Sequence, residues 1–386
     1  MKTINYDMVI IGGGIAGLWT LAMARTRGIN AILFEKGQVG QGQTIASQGI
    51  IHGGSKYALA GSISRATNMI SDMPETWRKF MLGAGEFQLH GINMLSNTQH
   101  LIPSAGIDTQ LLSFLGSKSM ASHTEKVGKK HLPEHFHQLG IKRSVFRLNE
   151  IVLDVRSILN AFMQELKPWI YQYEITGNDI SESNEKSYRH RINISGNTIQ
   201  CAWLVLASGE GNGRFTAATP MQTRPLNMVM MKGHKLPMIY AHFIGRSTKP
   251  VLTVTSHSTP DGQVVWYMGG DLAENGVDKN EAEQIDIAKK LLAKLVPGLT
   301  IDNHLSFGCY RINRAEPRQN TLTRPDDAFI SSYNNIITGW PTKLALAPRF
   351  AEKVLAEAGT NFTTIDTYHS LNLPSPDIAE YPWQQL

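Results

Sequence analysis

The stretch Tyr6-Asp-Met-Val-Ile-Ile-Gly-Gly-Gly-Ile-Ala-Gly17 decides the fold of this chain of 386 residues. The apolar run from Tyr6 to Ile11 predicts a buried parallel strand, because both faces of such a strand are covered. The residues from Ile15 to Gly28 predict a helix, and Ala31 to Glu35 predict a second strand. Strand, helix and strand within about thirty residues form a βαβ unit.

The glycines of this stretch give the unit a phosphate-binding loop. Gly12, Gly14 and Gly17 fit the spacing G-x-G-x-x-G between the strand and the helix. Gly12 permits the tight turn, Gly14 lets the backbone approach a pyrophosphate, and Gly17 allows the helix to pack closely on the strand. The helix N-terminus adds oriented N–H groups. Glu35 ends the second strand and is expected to accept hydrogen bonds from ribose hydroxyls, so the unit predicts a bound dinucleotide.

The residues after Glu35 favour FAD over NAD as that dinucleotide. Lys36 to Ser47 is rich in glycine and small polar residues, which suits a segment lying against an extended cofactor. The predicted cofactor-binding residues of the N-terminal part are Gly12, Gly14, Ile15, Ala16, Gly17, Glu35, Lys36, Gln43, Thr44, Ala46, Ser47, Gln48 and Gly49.

Composition and charge argue against several other classes of protein. The 37 Lys and Arg against 32 Asp and Glu give a net charge of +5 without long basic runs, so a nucleic-acid-binding arm is not expected. A small anionic substrate, or weak attraction to an acidic membrane surface, fits this charge better. Because Cys201 and Cys309 stand far apart, neither a disulfide framework nor a zinc site is indicated.

The sequence also carries predictions on the location of the protein and on metal binding. The cysteine usage and the N-terminal sequence, which has no signal-peptide pattern, predict a cytoplasmic protein, with the inner face of a membrane as the alternative. No apolar stretch reaches the ~18 residues that a spanning helix needs. His131, His135 and His137 with Glu134 are interpreted as a polar loop, so no metal is predicted.

The rest of the chain extends this unit into a larger α/β body. The length exceeds the ~250–300 residues at which single cores stop growing, which favours two domains. The predicted class is α/β: a Rossmann-like FAD-binding domain with a mixed or parallel sheet, helices and a small β-meander, plus an inserted α+β substrate domain with an antiparallel sheet. The predicted division is 1–75, 150–215 and 305–375 for the discontinuous FAD-binding domain, and 76–149 and 216–304 for the substrate or cap domain.

Further patterns carry a resemblance to a known family. The segment Ser47-Gln-Gly-Ile-Ile-His-Gly-Gly-Ser-Lys-Tyr57 contains Ile-His-x-Gly followed by a tyrosine, Leu204 to Gly209 ends in Ala-Ser-Gly, and Gly308 to Pro348 carries arginines and a loop before a final helix. With the N-terminal unit, these patches resemble the FAD-dependent oxidoreductase superfamily that includes D-amino-acid oxidase, glycerol-3-phosphate dehydrogenase and L-2-hydroxyglutarate dehydrogenase.

The resemblance implies an FAD cofactor and more residues that contact it. The segment from Gly339 replaces the glycine- and histidine-rich loop of the family, and Lys343 there is suited to stabilise negative charge on the N1–C2=O edge of a reduced flavin. The additional cofactor residues that are predicted are Ile175, Ala207, Ser208, Gly209, Gly339, Thr342, Lys343 and Leu344.

The resemblance also implies an activity. We expect transfer of a hydride to flavin N5 from a small, anionic 2-hydroxy acid or polyol phosphate, with His52 as the base. Lys56 and Tyr57 are expected to orient the acidic group, and Arg311 to clamp it, with Arg314 as the competing assignment. The predicted catalytic set is His52, Lys56, Tyr57, Arg311 and Lys343.

Two alternatives remain open at this stage. One is an amino-acid or amine oxidase of the same superfamily, and the other is a flavin-binding protein in which FAD is structural. The electron acceptor, whether oxygen, quinone or a protein carrier, leaves no pattern in the sequence. Weaker candidates for the substrate site stand in the β-rich insert: Thr255, His257, Trp266 and Tyr267.

Overall fold

A computed structural model of the chain describes residues 2–54, 70–104, 124–194, 196–215, 219–245, 249–318, 327–359, 362 and 371–386. In chain order its strands are β1 Lys2–Ile11, β2 Ala31–Glu35, β3 Ile50–Ile51, β4 Met94–Ser96, β5 Gln99–Pro103, β6 Thr124–Val127, β7 Val145–Leu148, β8 Ile151–Leu153, β9 Ile170–Gln172, β10 Ile180–Glu182, β11 His190–Ile194, β12 Asn197–Leu206, β13 Met221–Gly233, β14 Ala241–Ile244, β15 Pro250–Ser258, β16 Val264–Gly269, β17 Ser306–Pro317, β18 Phe329–Tyr333 and β19 Ile336–Trp340.

The helices are fewer than the strands within the described ranges. They are α1 Ile15–Thr26, α2 Met73–Met81, α3 Glu134–Gln138, α4 Val155–Leu166, α5 Asp271–Asn275, α6 Glu281–Leu295 and α7 Ala347–Ala358. The longest, α6, has a reciprocal capping box in which Asn280 accepts from the backbone of Glu283 and the Glu283 side chain accepts from the backbone of Asn280.

The first sheet is built around the N-terminal βαβ unit. Its order is β10-β11-β12-β1-β2-β9, with β19 paired to β12 and β18 to β19. The pairs β1–β12, β1–β2, β2–β9 and β12–β19 are parallel, while β10–β11–β12 and β18–β19 are antiparallel. The carboxyl ends of β1, β2 and β12 therefore meet at one edge, which is where ligands bind in open α/β sheets. The predicted α/β class and the βαβ unit are confirmed.

Packing of helices on this sheet supplies the largest core. Trp19 of α1 is fully buried, with its ring centroid 4.5 Å from that of Trp77 and 5.4 Å from that of Phe162. Phe80 and Phe350 extend the same apolar cluster, so α1, α2, α4 and α7 share one core. Truncation of a buried tryptophan such as this costs about 3–5 kcal/mol. The core therefore holds α1, and with it the glycine loop, rigidly in place.

The second sheet has the order β17-β13-β16-β15-β14-β5-β7-β6. All neighbours in it are antiparallel except β14 and β5. Its own apolar cluster packs against α6. A small third sheet, β3-β8-β4, positions the segment that starts at Gly49.

Two details differ from the sequence interpretation. Residues 134–138 form α3 rather than a polar loop. Strand β17 pairs with β13 in the second sheet, although its residues were assigned to the FAD-binding segment that starts at 305. Helix α3 buries a single residue, Phe136. Because one residue sets no hydrophobic period, the sequence pattern did not predict this helix. The division into two domains stays a prediction.

Candidate functional site

The glycine loop between β1 and α1 has the geometry of a phosphate site. Gly12 has a φ of +115°, which L side chains rarely adopt, and a Cβ on Gly17 would lie 2.0 Å from the carbonyl oxygen of Gly12. A Cβ on Gly14 would have Thr44 Oγ1, at 3.2 Å, as its near neighbour. Gly17 thus brings α1 onto the loop, while the space in front of Gly14 and the helix N-terminus is open to an anion.

Glu35 forms the wall beside this loop. Its Oε2 accepts from Gly13 N at 2.6 Å, and its Oε1 accepts from Gly37 N at 2.9 Å. A carboxylate offers about four lone-pair sites. These two bonds hold the group in position and leave capacity for ribose hydroxyls, which is the role that the sequence predicts.

The segment after Glu35 is hydrogen-bonded to the N-terminus of α1 and to the second sheet. Thr44 Oγ1 accepts from Ile15 N at 3.1 Å, and Gln43 Oε1 accepts from Ala315 N at 3.1 Å. Gln48 Nε2 donates to the carbonyl oxygens of Thr253 and Tyr267 at 3.2 and 2.9 Å. The segment is therefore held between the dinucleotide loop and the second sheet.

The loops after β12 and β19 are joined by a side chain that the sequence did not single out. Asn212 Oδ1 accepts from the backbone N of Ser208 at 2.8 Å, and its Nδ2 donates to the carbonyl oxygen of Gly339 at 3.1 Å. Thr342 has a φ of +62°, rare for a β-branched residue and worth about 1–3 kcal/mol of strain. Lys343 follows directly, half-buried at the wall of the site.

These elements enclose one continuous cavity of about 1470 Å³. This exceeds the ~300–1,000 Å³ of ordinary small-molecule pockets, so there is room for a dinucleotide with a substrate. The predicted cofactor residues that line it are Gly12, Gly14, Ile15, Ala16, Glu35, Lys36, Gln43, Thr44, Ala46, Ser47, Gln48, Gly49, Ile175, Ala207, Ser208, Gly209, Gly339, Thr342, Lys343 and Leu344. Gly17 is not at the wall and contributes through helix packing instead. The open glycine cradle and Glu35 fit FAD.

His52 also lines the cavity, next to a buried polar cluster. Its Nδ1 lies 3.1 Å from Glu150 Oε2, and the Glu150 side chain has no exposed surface. His242 Nε2 lies 3.7 Å from the same oxygen. The potential ligand atoms of these three residues lie within 4.8 Å of one another. Since the His52–Glu150 separation is that of a hydrogen bond, we interpret the cluster as a hydrogen-bonded one.

The placement predicted for Arg311 is wrong. Arg311 is exposed, does not line the cavity, and donates to the carbonyl oxygens of Val277, at 2.7 Å, and Lys279. Arg314, the competing assignment, lines the cavity. The reason is strand alternation: residues three apart in β17 point to opposite faces, and the sequence alone does not set the phase.

Arg314 belongs to a charged wall that the sequence did not reveal. It lies directly opposite Arg224 in the β13–β17 register. Arg224 pairs with Glu316, and Arg314 Nη2 lies 3.4 Å from Glu274 Oε1. Two like charges facing each other across strands are unfavourable, and the two carboxylates compensate them. Only the pairing of distant strands brings these four residues together.

The remaining predicted residues are placed elsewhere. Lys56 and Tyr57 lie outside the described residues. His257 is buried against the rings of Tyr381 and Trp383, where burial lowers its pKa to about 3. Thr255, Trp266 and Tyr267 are buried in the second sheet and are not at the wall of the described cavity. In the described part of the chain, no helix is both long and apolar enough to cross a membrane.

The fold and the site define a flavin-dependent oxidoreductase, and comparison with known proteins identifies the family. Residues 7–335 match the model of the DAO family, FAD dependent oxidoreductase. The chain belongs to this family, and its cofactor is FAD.

Individual relatives agree with this assignment. The chain is 39% identical over 390 residues to the FAD-dependent oxidoreductase PA4991 of Pseudomonas aeruginosa, covering 99% of this chain and 98% of that protein. The crystal structure of that protein superposes with a TM-score of 0.83 at 36% identity over 100% of this chain and 99% of the other.

More distant similarities concern the fold or short segments. The FAD-bound L-α-glycerophosphate oxidase of Mycoplasma pneumoniae has a TM-score of 0.66 at 14% identity, covering 94% of this chain and 96% of that one, which shows the shared fold. A mitochondrial glycerol-3-phosphate dehydrogenase of Saccharomyces cerevisiae is 45% identical over 56 residues, 14% of this chain and 9% of that enzyme.

Proposed function

We propose that this oxidoreductase oxidises a small anionic substrate at a carbon that carries a hydroxyl group, such as a 2-hydroxy acid or a polyol phosphate. The observation that carries the proposal is that His52, Arg314 and Lys343 line one cavity. His52 is also hydrogen-bonded to the buried carboxylate of Glu150. A base and cationic side chains at the wall suit an acid with a removable hydroxyl proton. A purely structural FAD has no need of either.

FAD, when bound, supplies the two-electron acceptor for this oxidation. Its dinucleotide part is assigned to the glycine loop, Glu35 and the segment after it. His52 takes the hydroxyl proton of the substrate at Nε2, because Nδ1 faces Glu150. Arg314 binds the acidic group, since a guanidinium forms paired hydrogen bonds to carboxylate or phosphate oxygens.

Lys343 has a second role in the proposal. Its side chain follows the strained turn at Thr342 and lines the cavity. With FAD bound, an ammonium group there would stabilise negative charge at the reacting end of the cofactor. The proposal leaves open whether oxygen, a quinone or a protein carrier is the electron acceptor.

Matched pairs of compounds test this proposal. The purified holoenzyme is mixed anaerobically with lactate and alanine, and with glycerol and glycerol 3-phosphate, and bleaching of the flavin absorbance is followed. We expect a hydroxy compound to reduce the flavin faster than its amino partner, and a charged compound faster than its neutral partner. Faster reduction by the amino acid would support amine oxidation instead, and reduction independent of the acidic group would remove the role of Arg314.

A further inference from the structure

Strand register places Glu150 directly beside His52. In the antiparallel pair of β3 and β8, Ile50 faces Val152 and Ile51 faces Ile151. The next pair in this register is His52 and Glu150, and His52 Nδ1 lies 3.1 Å from Glu150 Oε2. The contact is thus built into the pairing of two strands.

The glycine after His52 makes a second contact to the same carboxylate. Gly53 N donates to Glu150 Oε1 at 3.3 Å. A Cβ on Gly53 would lie 2.9 Å from the carbonyl oxygen of Asn149, closer than side chains tolerate. The absence of a side chain at Gly53 therefore lets the segment approach Glu150.

A third contact comes from the second sheet. His242 of β14 is fully buried, and its Nε2 lies 3.7 Å from Glu150 Oε2. Its Nδ1 lies 2.8 Å from the hydroxyl of Thr253, its cross-strand partner in β15. The rings of His52 and His242 are stacked with centroids 6.1 Å apart. Glu150 is therefore enclosed by two imidazoles from different sheets.

We propose that Glu150 is the positioning residue of the base: it accepts the Nδ1–H of His52, directs Nε2 toward the substrate, and neutralises the imidazolium that forms, while His242 fixes the carboxylate from behind. This inference rests on the proposed function, in which His52 is the base. A carboxylate without exposed surface needs such partners, because burial of an unpaired charge is costly. A hydrogen bond to one ring nitrogen also determines which nitrogen carries the proton.

Each bond and charge that changes in the proton transfer is accounted for. The O–H bond of the substrate breaks, an N–H bond forms at Nε2 of His52, and the positive charge of the ring lies against Glu150. The proton stays on His52 and does not move to Glu150. In this proposal the hydroxyl of Thr253, 2.8 Å from Nδ1 of His242, donates to that nitrogen, and Nε2 of His242 carries a proton and faces the carboxylate at 3.7 Å, a contact longer than a hydrogen bond.

Other charged groups near the cluster do not replace Glu150. Arg78 of α2 reaches Asn149 Oδ1, at 3.4 Å, one residue before Glu150. Lys343 and Arg314 line the same cavity as His52. All three are cations and disfavour the protonated ring, so the carboxylate is the group that stabilises it.

The test is a titration of His52 by NMR in the FAD-loaded enzyme with isotope-labelled histidine, with signals assigned through His52→Asn and His242→Asn. We expect the neutral ring to carry its proton on Nδ1. In Glu150→Gln, which keeps the shape and removes the charge, we expect proton affinity at His52 to fall at least about tenfold, or one pKa unit. The matched control is Glu316→Gln, which removes another buried carboxylate of the cavity and leaves the His52 titration unchanged.

Three results would overturn the inference. The first is a neutral His52 ring that carries its proton on Nε2 in the unmodified enzyme, a result that needs no variant. The second is an unchanged His52 titration in Glu150→Gln. The third is stoichiometric zinc in the purified enzyme that is lost in His242→Asn. The rate of flavin reduction distinguishes a failure of this inference from a failure of the proposed function. If His52→Asn reduces at the normal rate, the base assignment fails; if it does not reduce while Glu150→Gln keeps the normal rate and pH profile, only the role of Glu150 fails.

Discussion

Arg314 and Arg311 form a matched pair of side chains on one strand. Arg314 lines the cavity, whereas Arg311 does not line it and donates to loop carbonyl oxygens. Removing one partner of a buried charged contact costs about 2–5 kcal/mol. Arg314→Ala is therefore expected to keep FAD and fold while the flavin reduction efficiency with the acid substrate falls about a hundredfold or more, mainly in apparent affinity.

Arg311→Ala is the control for that change. It loses hydrogen bonds to Val277 and Lys279, so we expect about 1 kcal/mol lower stability and normal reduction kinetics. Arg314→Lys is expected to recover only part of the loss, because a point charge does not reproduce the guanidinium fork. Anaerobic stopped-flow measurement of flavin reduction distinguishes the two arginines. Normal reduction by Arg314→Ala together with impaired reduction by Arg311→Ala would assign substrate binding to Arg311 instead of Arg314.

At the scale of elements, the junction of β1 and α1 determines cofactor loading. Gly14 has φ −77° and ψ 178°, which any residue adopts, and the space in front of it is open. Gly14→Leu is therefore expected to fold normally and to lose most of its FAD, because the side chain occupies the approach of the pyrophosphate. The ratio of released FAD to protein measures this.

Gly128→Leu is the matched control for the glycine loop. Gly128 is exposed, has φ −64° and precedes a short 3-10 helix far along the chain. We expect this variant to contain as much FAD as the unmodified protein. Normal FAD content in Gly14→Leu, with unchanged thermal stability, would contradict the assignment of the loop.

Local elements were predictable from sequence, and contacts across sheets were not. The βαβ unit follows from apolar runs and glycine spacing within one short segment, which is why its predicted cofactor residues other than Gly17 line the cavity. Glu150 and His242 come together only through the β3–β8 register and the position of β14 in another sheet. The sequence offered only two signals for them: Glu150 is an acidic residue directly before an apolar run, and His242 is a histidine inside an apolar run. For Arg311 and Arg314, the missing information was the phase of β17.

At the scale of the whole molecule, buried histidines make the fold sensitive to acid. Burial lowers the pKa of His257 to about 3 and that of His100 to about 4, from the ordinary value of 6.5. The unfolded chain thus binds these protons at higher pH than the folded one. Stability is full above about pH 6.5 and falls toward pH 3, by up to about 1.4 kcal/mol per unit for each such histidine.

His257→Phe tests this origin of acid sensitivity. The variant keeps a ring packed against Tyr381 and Trp383 but has no group to protonate. We expect the drop in Tm between pH 7 and pH 5 to be smaller than in the unmodified protein. His304→Gln, a change at an exposed histidine, serves as control. An equal drop in His257→Phe would assign the acid sensitivity to other groups.

The central claim is that the FAD-loaded chain oxidises the hydroxyl group of a small acid, and a single anaerobic turnover tests it most directly. The holoenzyme is reduced by the most reactive hydroxy compound of the matched pairs, and the carbonyl product and ammonia are both quantified. The account predicts one equivalent of carbonyl product for each FAD reduced, with no ammonia. Reduction only by amino compounds, with ammonia released on hydrolysis of the product, would contradict it.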